Sequence, residues 1–159
     1  VILVKQKGRT VVVGIGNPIR GDDGVAIRLV RKLREVLPPR FEVKESATAG
    51  LELMETILGY RRAILIDAIR TPEGVPGEVY RFDWQDSKVA PYLPFSHTIN
   101  LGQVVEMGGM LGGQEMPAVE VLAVEAKRLD AFCEDLSPEL EEKLDEIAAE
   151  LRTAIQEID

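Results

Sequence analysis

The chain has 159 residues and a formal charge of −8, from 27 acidic side chains against 19 lysines and arginines. With 45% hydrophobic residues, it reads as one globular domain over 1–159, large enough to bury a core without disulfides. That balance argues against nucleic acid or an anionic membrane surface as partner. Cys133, the single cysteine, excludes an internal disulfide, and no apolar run reaches membrane-spanning length. No charged segment leading into a long apolar stretch opens the sequence, so a cytoplasmic location is expected.

In chain order, "VILV" at Val1 to Val4 is compatible with a strand, and Thr10 to Ile15 reads as a buried strand closed by Gly14 and Gly16. From Asp22 the apolar period changes to three and four. Val25, Ala26, Leu29, Val30, Leu33, Val36 and Leu37 mark an amphipathic helix that ends before Pro38. Phe41 to Glu45 alternates as a strand does, Ala49 to Leu58 returns to helical spacing, and Gly59 closes that helix.

Ala63 to Asp67, "AILID", is a second fully apolar strand, expected to stop on its carboxylate. Gly77 to Phe82 follows a Pro/Gly-rich turn and suits an antiparallel edge strand. An irregular stretch with Pro91 and Pro94 leads to a helix expected over Thr98 to Leu111, with His97 at its entry. Val119 to Val124 is the last strand. Ser137 and Pro138 then supply an N-cap and a first-turn proline for a helix striped by Leu140, Leu144, Ile147, Ala148, Leu151, Ile155 and Ile158. Alternating strands and helices predict a three-layer α/β domain, with a mostly parallel twisted sheet and helices on both faces.

The stretch "VVVGIGNPIRGDDGV" breaks a strand into a glycine loop, the usual setting for a phosphate. A dinucleotide fingerprint fails because Ile19 stands where the third glycine belongs. A P-loop fails because Asp22 and Asp23 replace the lysine and hydroxyl that bind phosphate. One aspartate here reads as a helix cap stabilised by the macrodipole. Asp67, however, is expected at the carboxyl edge of the sheet, where α/β ligand sites form. Two carboxylates about 5 Å apart repel by roughly 3 kcal/mol at an effective dielectric of about 20, so such a pair takes up a proton or a cation. With His97, the only histidine, they would make a ligand set for zinc, nickel, manganese or iron.

"GIGNPIRGDDGV", the aspartate of "LIDAI", "SHTINL" and "TAGLELM" together resemble the hydrogenase maturation endopeptidases, the HybD/HycI-like family. The resemblance implies a cytoplasmic endopeptidase that removes the C-terminal extension of a nickel-iron hydrogenase large-subunit precursor after nickel insertion. It implies Asp23, Asp67 and His97 as the metal ligands and catalytic groups. It further implies nickel supplied by the substrate, or another divalent cation at the same site, as the metal. Asp22 then orients its neighbour, while Gly14, Gly16 and Asn17 shape the loop. Ala26, Glu45 to Ala47 and "VEAKRLDAF" depart from the family pattern, which bears on which hydrogenase is served.

Cysteine-protease chemistry is disfavoured because Cys133 lies in the acidic setting "AFCEDL", which raises a thiol pKa. No Gly-x-Ser-x-Gly elbow supports a serine hydrolase. The alternative from another class is a non-proteolytic chaperone or checkpoint protein that grips the nickel-loaded large subunit.

Overall fold

The computed structural model describes residues 8–47, 50–83 and 116–158. The expectations for "VILV", for the start of a helix at Ala49, for a helix over Thr98 to Leu111 and for His97 lie outside the described residues. The elements in order are β1 (Thr10–Ile15), a 3-10 turn (Gly21–Gly24), α1 (Val25–Val36), β2 (Phe41–Ser46), α2 (Leu51–Ile57), β3 (Arg62–Ile69), β4 (Val79–Asp83), β5 (Ala118–Glu125) and α3 (Pro138–Ile158).

The five strands form one sheet in the order β2-β1-β3-β5-β4. The first four run parallel, and β4 lies antiparallel to β5 at an edge, as its turn-led approach implied. β1 and β3 are apolar on both faces because helices cover both. Val12, Ile64, Ile66, Leu122 and Val124 pack against α1 and α3. Their neighbours of opposite parity, Val11, Val13, Ile15, Leu65 and Val121, pack with Leu53 and Ile57 of α2. This is the expected three-layer arrangement.

Three sequence expectations need correction. β3 does not stop at Asp67 but continues to Ile69, because its pairing with β5 extends to Ile69 opposite Glu125. Val36 and Leu51 carry the right helical spacing, yet they are 45% and 49% exposed at the ends of their stripes. α1 begins only at Val25, with no side-chain cap from Asp22 or from any other residue at its N-cap position, Gly24.

Two glycines set how closely the loop after β1 folds back. A Cβ at Gly14 would lie 2.7 Å from both the Ala26 carbonyl oxygen and a Val30 methyl, so its absence lets α1 pack directly on β1. At Gly16 a Cβ would collide with the backbone carbonyl of Asp23, which cannot rotate away as a side chain can. Gly16→Ala is therefore expected to destabilise the fold by at least about 2 kcal/mol, read as a lower urea midpoint at unchanged slope.

Beside β2, the Tyr60 hydroxyl donates to Glu42 at 2.6 Å, and this bond holds the Glu42 carboxyl below its usual range. A lowered folded-state pKa contributes stability above the unfolded value and loses it as pH falls through the folded one. The stability gap between wild type and Tyr60→Phe should accordingly be full near neutrality and shrink in acid, between roughly pH 5 and 3. Thermal melts across that range measure it; a gap that widens in acid would contradict the assignment.

Candidate active site

In the strand order β2-β1-β3, the chain leaves β1 to one side for β2 and then crosses to the other side for β3. Such a reversal opens a crevice at the carboxyl ends of the two strands, the usual ligand site of an open parallel sheet. β1 contributes the loop that carries Asp22 and Asp23. β3 contributes Asp67: Gly14 pairs with Ile66, so the end of β1 falls level with Asp67 even though β3 runs on. The 3-10 turn that holds Asp23 lies against β3. The structure thus brings the elements of Asp23 and Asp67 together at the crevice, while His97 lies outside the described residues.

Both carboxylates are almost wholly buried, each 1% exposed. The Asn17 amide donates to Asp23 Oδ2 at 3.0 Å, while Asn17 Oδ1 accepts from the Ile19 amide at 3.2 Å and shapes the loop into an Asx turn. Asp67 Oδ1 accepts the Ala68 amide at 2.8 Å. Carboxylate oxygens with an imidazole are a donor set that suits a first-row divalent ion. Among the described residues, no group of three histidine, cysteine, aspartate or glutamate side chains is arranged to hold a metal.

Asp22 does not cap α1; its carboxylate anchors the turn that also carries its neighbour Asp23. It is completely buried, and its carboxylate reaches across the molecule to the segment after β5. Oδ2 accepts the amides of Lys127 and Arg128 at 2.9 and 2.8 Å and the Ser137 hydroxyl at 2.9 Å; Oδ1 accepts the Ser137 amide at 2.6 Å. Backbone bonds run alongside, from the Asp22 amide to the Arg128 carbonyl and from the Gly21 amide to the Cys133 carbonyl. Cys133 is thus a backbone partner of the aspartate loop, and its Sγ accepts the Asp135 amide at 3.4 Å.

Glu125 is a buried carboxylate at the same edge that local reading of the sequence missed, because the apolar run seemed to end at Val124. It lies opposite Ile69, 1% exposed, and accepts both the amide and the hydroxyl of Thr71, at 2.7 and 3.0 Å. It secures the turn between β3 and β4, so its oxygens are committed to structure. Only the apolar continuation of β3 past Asp67 could have signalled that β5 extends equally far.

Residues 27–154 match the family model of the HycI hydrogenase maturation proteases. The chain belongs to the hydrogenase maturation protease family. The matched span contains Asp67 and position 97; the loop with Asp23 immediately precedes it. The Escherichia coli hydrogenase 2 maturation protease is 34% identical over 71 residues, a stretch that covers 43% of this chain and 43% of that protein. The solved structure of the hydrogenase maturating endopeptidase HybD from E. coli superposes with a TM-score of 0.72 at 25% identity, covering 94% of this chain and 93% of that one. HybD from Thermococcus kodakarensis shares the fold, with a TM-score of 0.73 at 22% identity over 92% and 98% of the two chains. Among the described residues, no helix is long and apolar enough to cross a membrane.

Removing the charge on Asp22 should loosen the joint between the aspartate loop and the start of α3. Asp22→Asn turns one acceptor into a donor that faces other donors, and is expected to cost about 2–4 kcal/mol, against about 1 kcal/mol for Ser137→Ala. Urea unfolding of both variants checks the order; equal losses would mean that the serine hydroxyl, not the amides, dominates the joint.

Proposed function

We propose that this chain is an endopeptidase that removes the C-terminal extension of a nickel-iron hydrogenase large-subunit precursor after nickel insertion. The observation that carries the reading is the placement of Asp23 and Asp67 on either side of the β1/β3 crevice, buried, in a chain of this family. A C-terminal tail is an extended peptide, and a crevice at the end of a sheet suits its entry. The nickel comes with the substrate, so Asp23, Asp67 and His97 need only recognise it; another divalent cation at the same three groups would have the same chemistry.

In this reading the ion supplies Lewis-acid polarisation of the scissile carbonyl or of a water. The chain's own residues do the rest. The Asn17 amide fixes the rotamer of Asp23, the Asp22 joint fixes the turn on which Asp23 sits, and the Ala68 amide orients Asp67. One of the two carboxylates acts as general base toward the attacking water. Gating by nickel follows if the ligand set completes itself only around an ion already held by the precursor.

Intact mass spectrometry of nickel-loaded and nickel-free precursor, each incubated with the protein, tests this directly. Loss of one C-terminal peptide from the loaded precursor alone is expected, with turnover reduced by roughly 100-fold or more in Asp23→Ala, Asp67→Ala and His97→Ala. Equal cleavage of both precursors would remove the nickel gate. Nickel-dependent association without any mass change would instead favour the checkpoint protein.

A further inference from the structure

The ladder between β1 and β3 closes at Gly14 opposite Ile66, and β1 itself ends at Ile15. β3 runs on from Asp67 to Ile69, and among the described residues its ladder partner there is β5 alone. Asp67 therefore stands on an overhang of the sheet that is paired along one side. A side chain on such an overhang keeps one position only if the end of the strand is anchored.

Glu125 supplies that anchor. Ile66, Ala68, Leu122 and Val124 pack on the α1 and α3 side of the sheet, whereas Leu65 and Val121 pack on the α2 side. By alternation Asp67, Ala123 and Glu125 share the α2 side, with Asp67 opposite Ala123 and Ile69 opposite Glu125. The Thr71 amide and hydroxyl, two residues past the end of β3, donate to the two Glu125 oxygens at 2.7 and 3.0 Å. The Ala126 amide donates to the Ile69 carbonyl at 2.8 Å, and Glu125 is itself fixed by backbone bonds with Gly77 and Glu78, at 2.9 and 2.8 Å. A Cβ at Gly74 would collide with the Glu125 carboxyl group, so the turn closes directly over it.

An apolar side chain could fill the same place without the cost of burying a charge. What the carboxylate adds is a directional hold on Thr71, and through Thr71 on the end of β3. We infer that Glu125 is a positioning residue for Asp67, fixing the strand end on which Asp67 and the Ala68 amide that orients it are carried. This rests on the endopeptidase reading. Glu125 acts through hydrogen-bond geometry, and a shift of about 1 Å in a reacting group can cost about 100-fold in turnover.

The test uses the full chain with nickel-loaded precursor as substrate. Glu125→Met removes both acceptors and is expected to lower kcat about tenfold or more, with KM within about twofold, in protein whose circular dichroism matches wild type. Glu125→Gln can accept the Thr71 amide and donate to its hydroxyl, so it should return kcat to within about threefold of wild type. Thr71→Val loses one of the two bonds and keeps the side-chain shape; a drop in kcat of about threefold is expected. Wild-type kcat in folded Glu125→Met overturns the inference, as does wild-type kcat in Thr71→Val should the methionine variant not fold. If Glu125→Gln falls as far as Glu125→Met, charge rather than geometry is what matters and the inference is wrong. A rise in KM at unchanged kcat would make the turn a binding surface and likewise overturn it. All these outcomes leave the endopeptidase reading standing, whereas a wild type that leaves the precursor uncut sinks that reading and the inference with it.

Discussion

The Asp22 carboxylate ties its loop to two segments more than a hundred residues away in sequence, one at Lys127 and Arg128 and one at Ser137. A buried charge costs several kcal/mol unless hydrogen bonds replace its hydration. Here three amides and one hydroxyl do so. Two of the amides belong to the chain just after β5 and one to Ser137, immediately before α3, so the carboxylate serves as an anion at the start of a long helix. The geometry requires β1 and β5 to deliver their ends to one edge of the sheet, which parallel pairing through β3 ensures. The packing of α3 against α1 and the position of Asp23 both depend on that joint.

Four buried acids gather at this edge, and their environments separate their roles. Asp22 and Glu125 direct their oxygens at backbone amides and hydroxyls of neighbouring turns, and each holds a loop in place. Asp23 and Asp67 instead flank the crevice where the strand order reverses. Two buried acids with different partners thus sit side by side in "GDDG": Asp22 is bound to the segment after β5 and Asp23 to the amide of Asn17 in its own loop. Substitution of either is expected to impair function, but only the first should do so through stability.

Much of this was legible in the sequence where local pattern decides. The apolar runs of β1, β3 and β5 signalled a sheet covered on both faces, the turn before β4 signalled an antiparallel edge, and Ser137-Pro138 marked the start of α3 to the residue. What failed was non-local. β3 extends past Asp67 because β5 offers partners as far as Glu125, and no feature of "AILID" encodes the length of a neighbour. Val36 and Leu51 follow their helical stripes beyond the surface that covers them. Adjacent aspartates look alike in sequence, so nothing local could assign the structural role to Asp22, whose partners begin at Lys127.

The glycine loop after β1 has the form of a phosphate cradle, a strand that turns into a helix start with amides pointing into the bend. In this chain one such amide, from Asn17, already serves a carboxylate of the loop itself, Asp23. The protein thereby supplies its own anion in the place where a nucleotide phosphate would otherwise bind. A loop of this form thus already holds a carboxylate, which disfavours a further anion beside it. Gly16 keeps the arrangement tight, since any side chain there would push the Asp23 backbone out of reach of the loop. The two adjacent aspartates therefore take different places in one geometry: Asp22 closes the loop onto the rest of the fold, and Asp23 binds an amide of the loop itself.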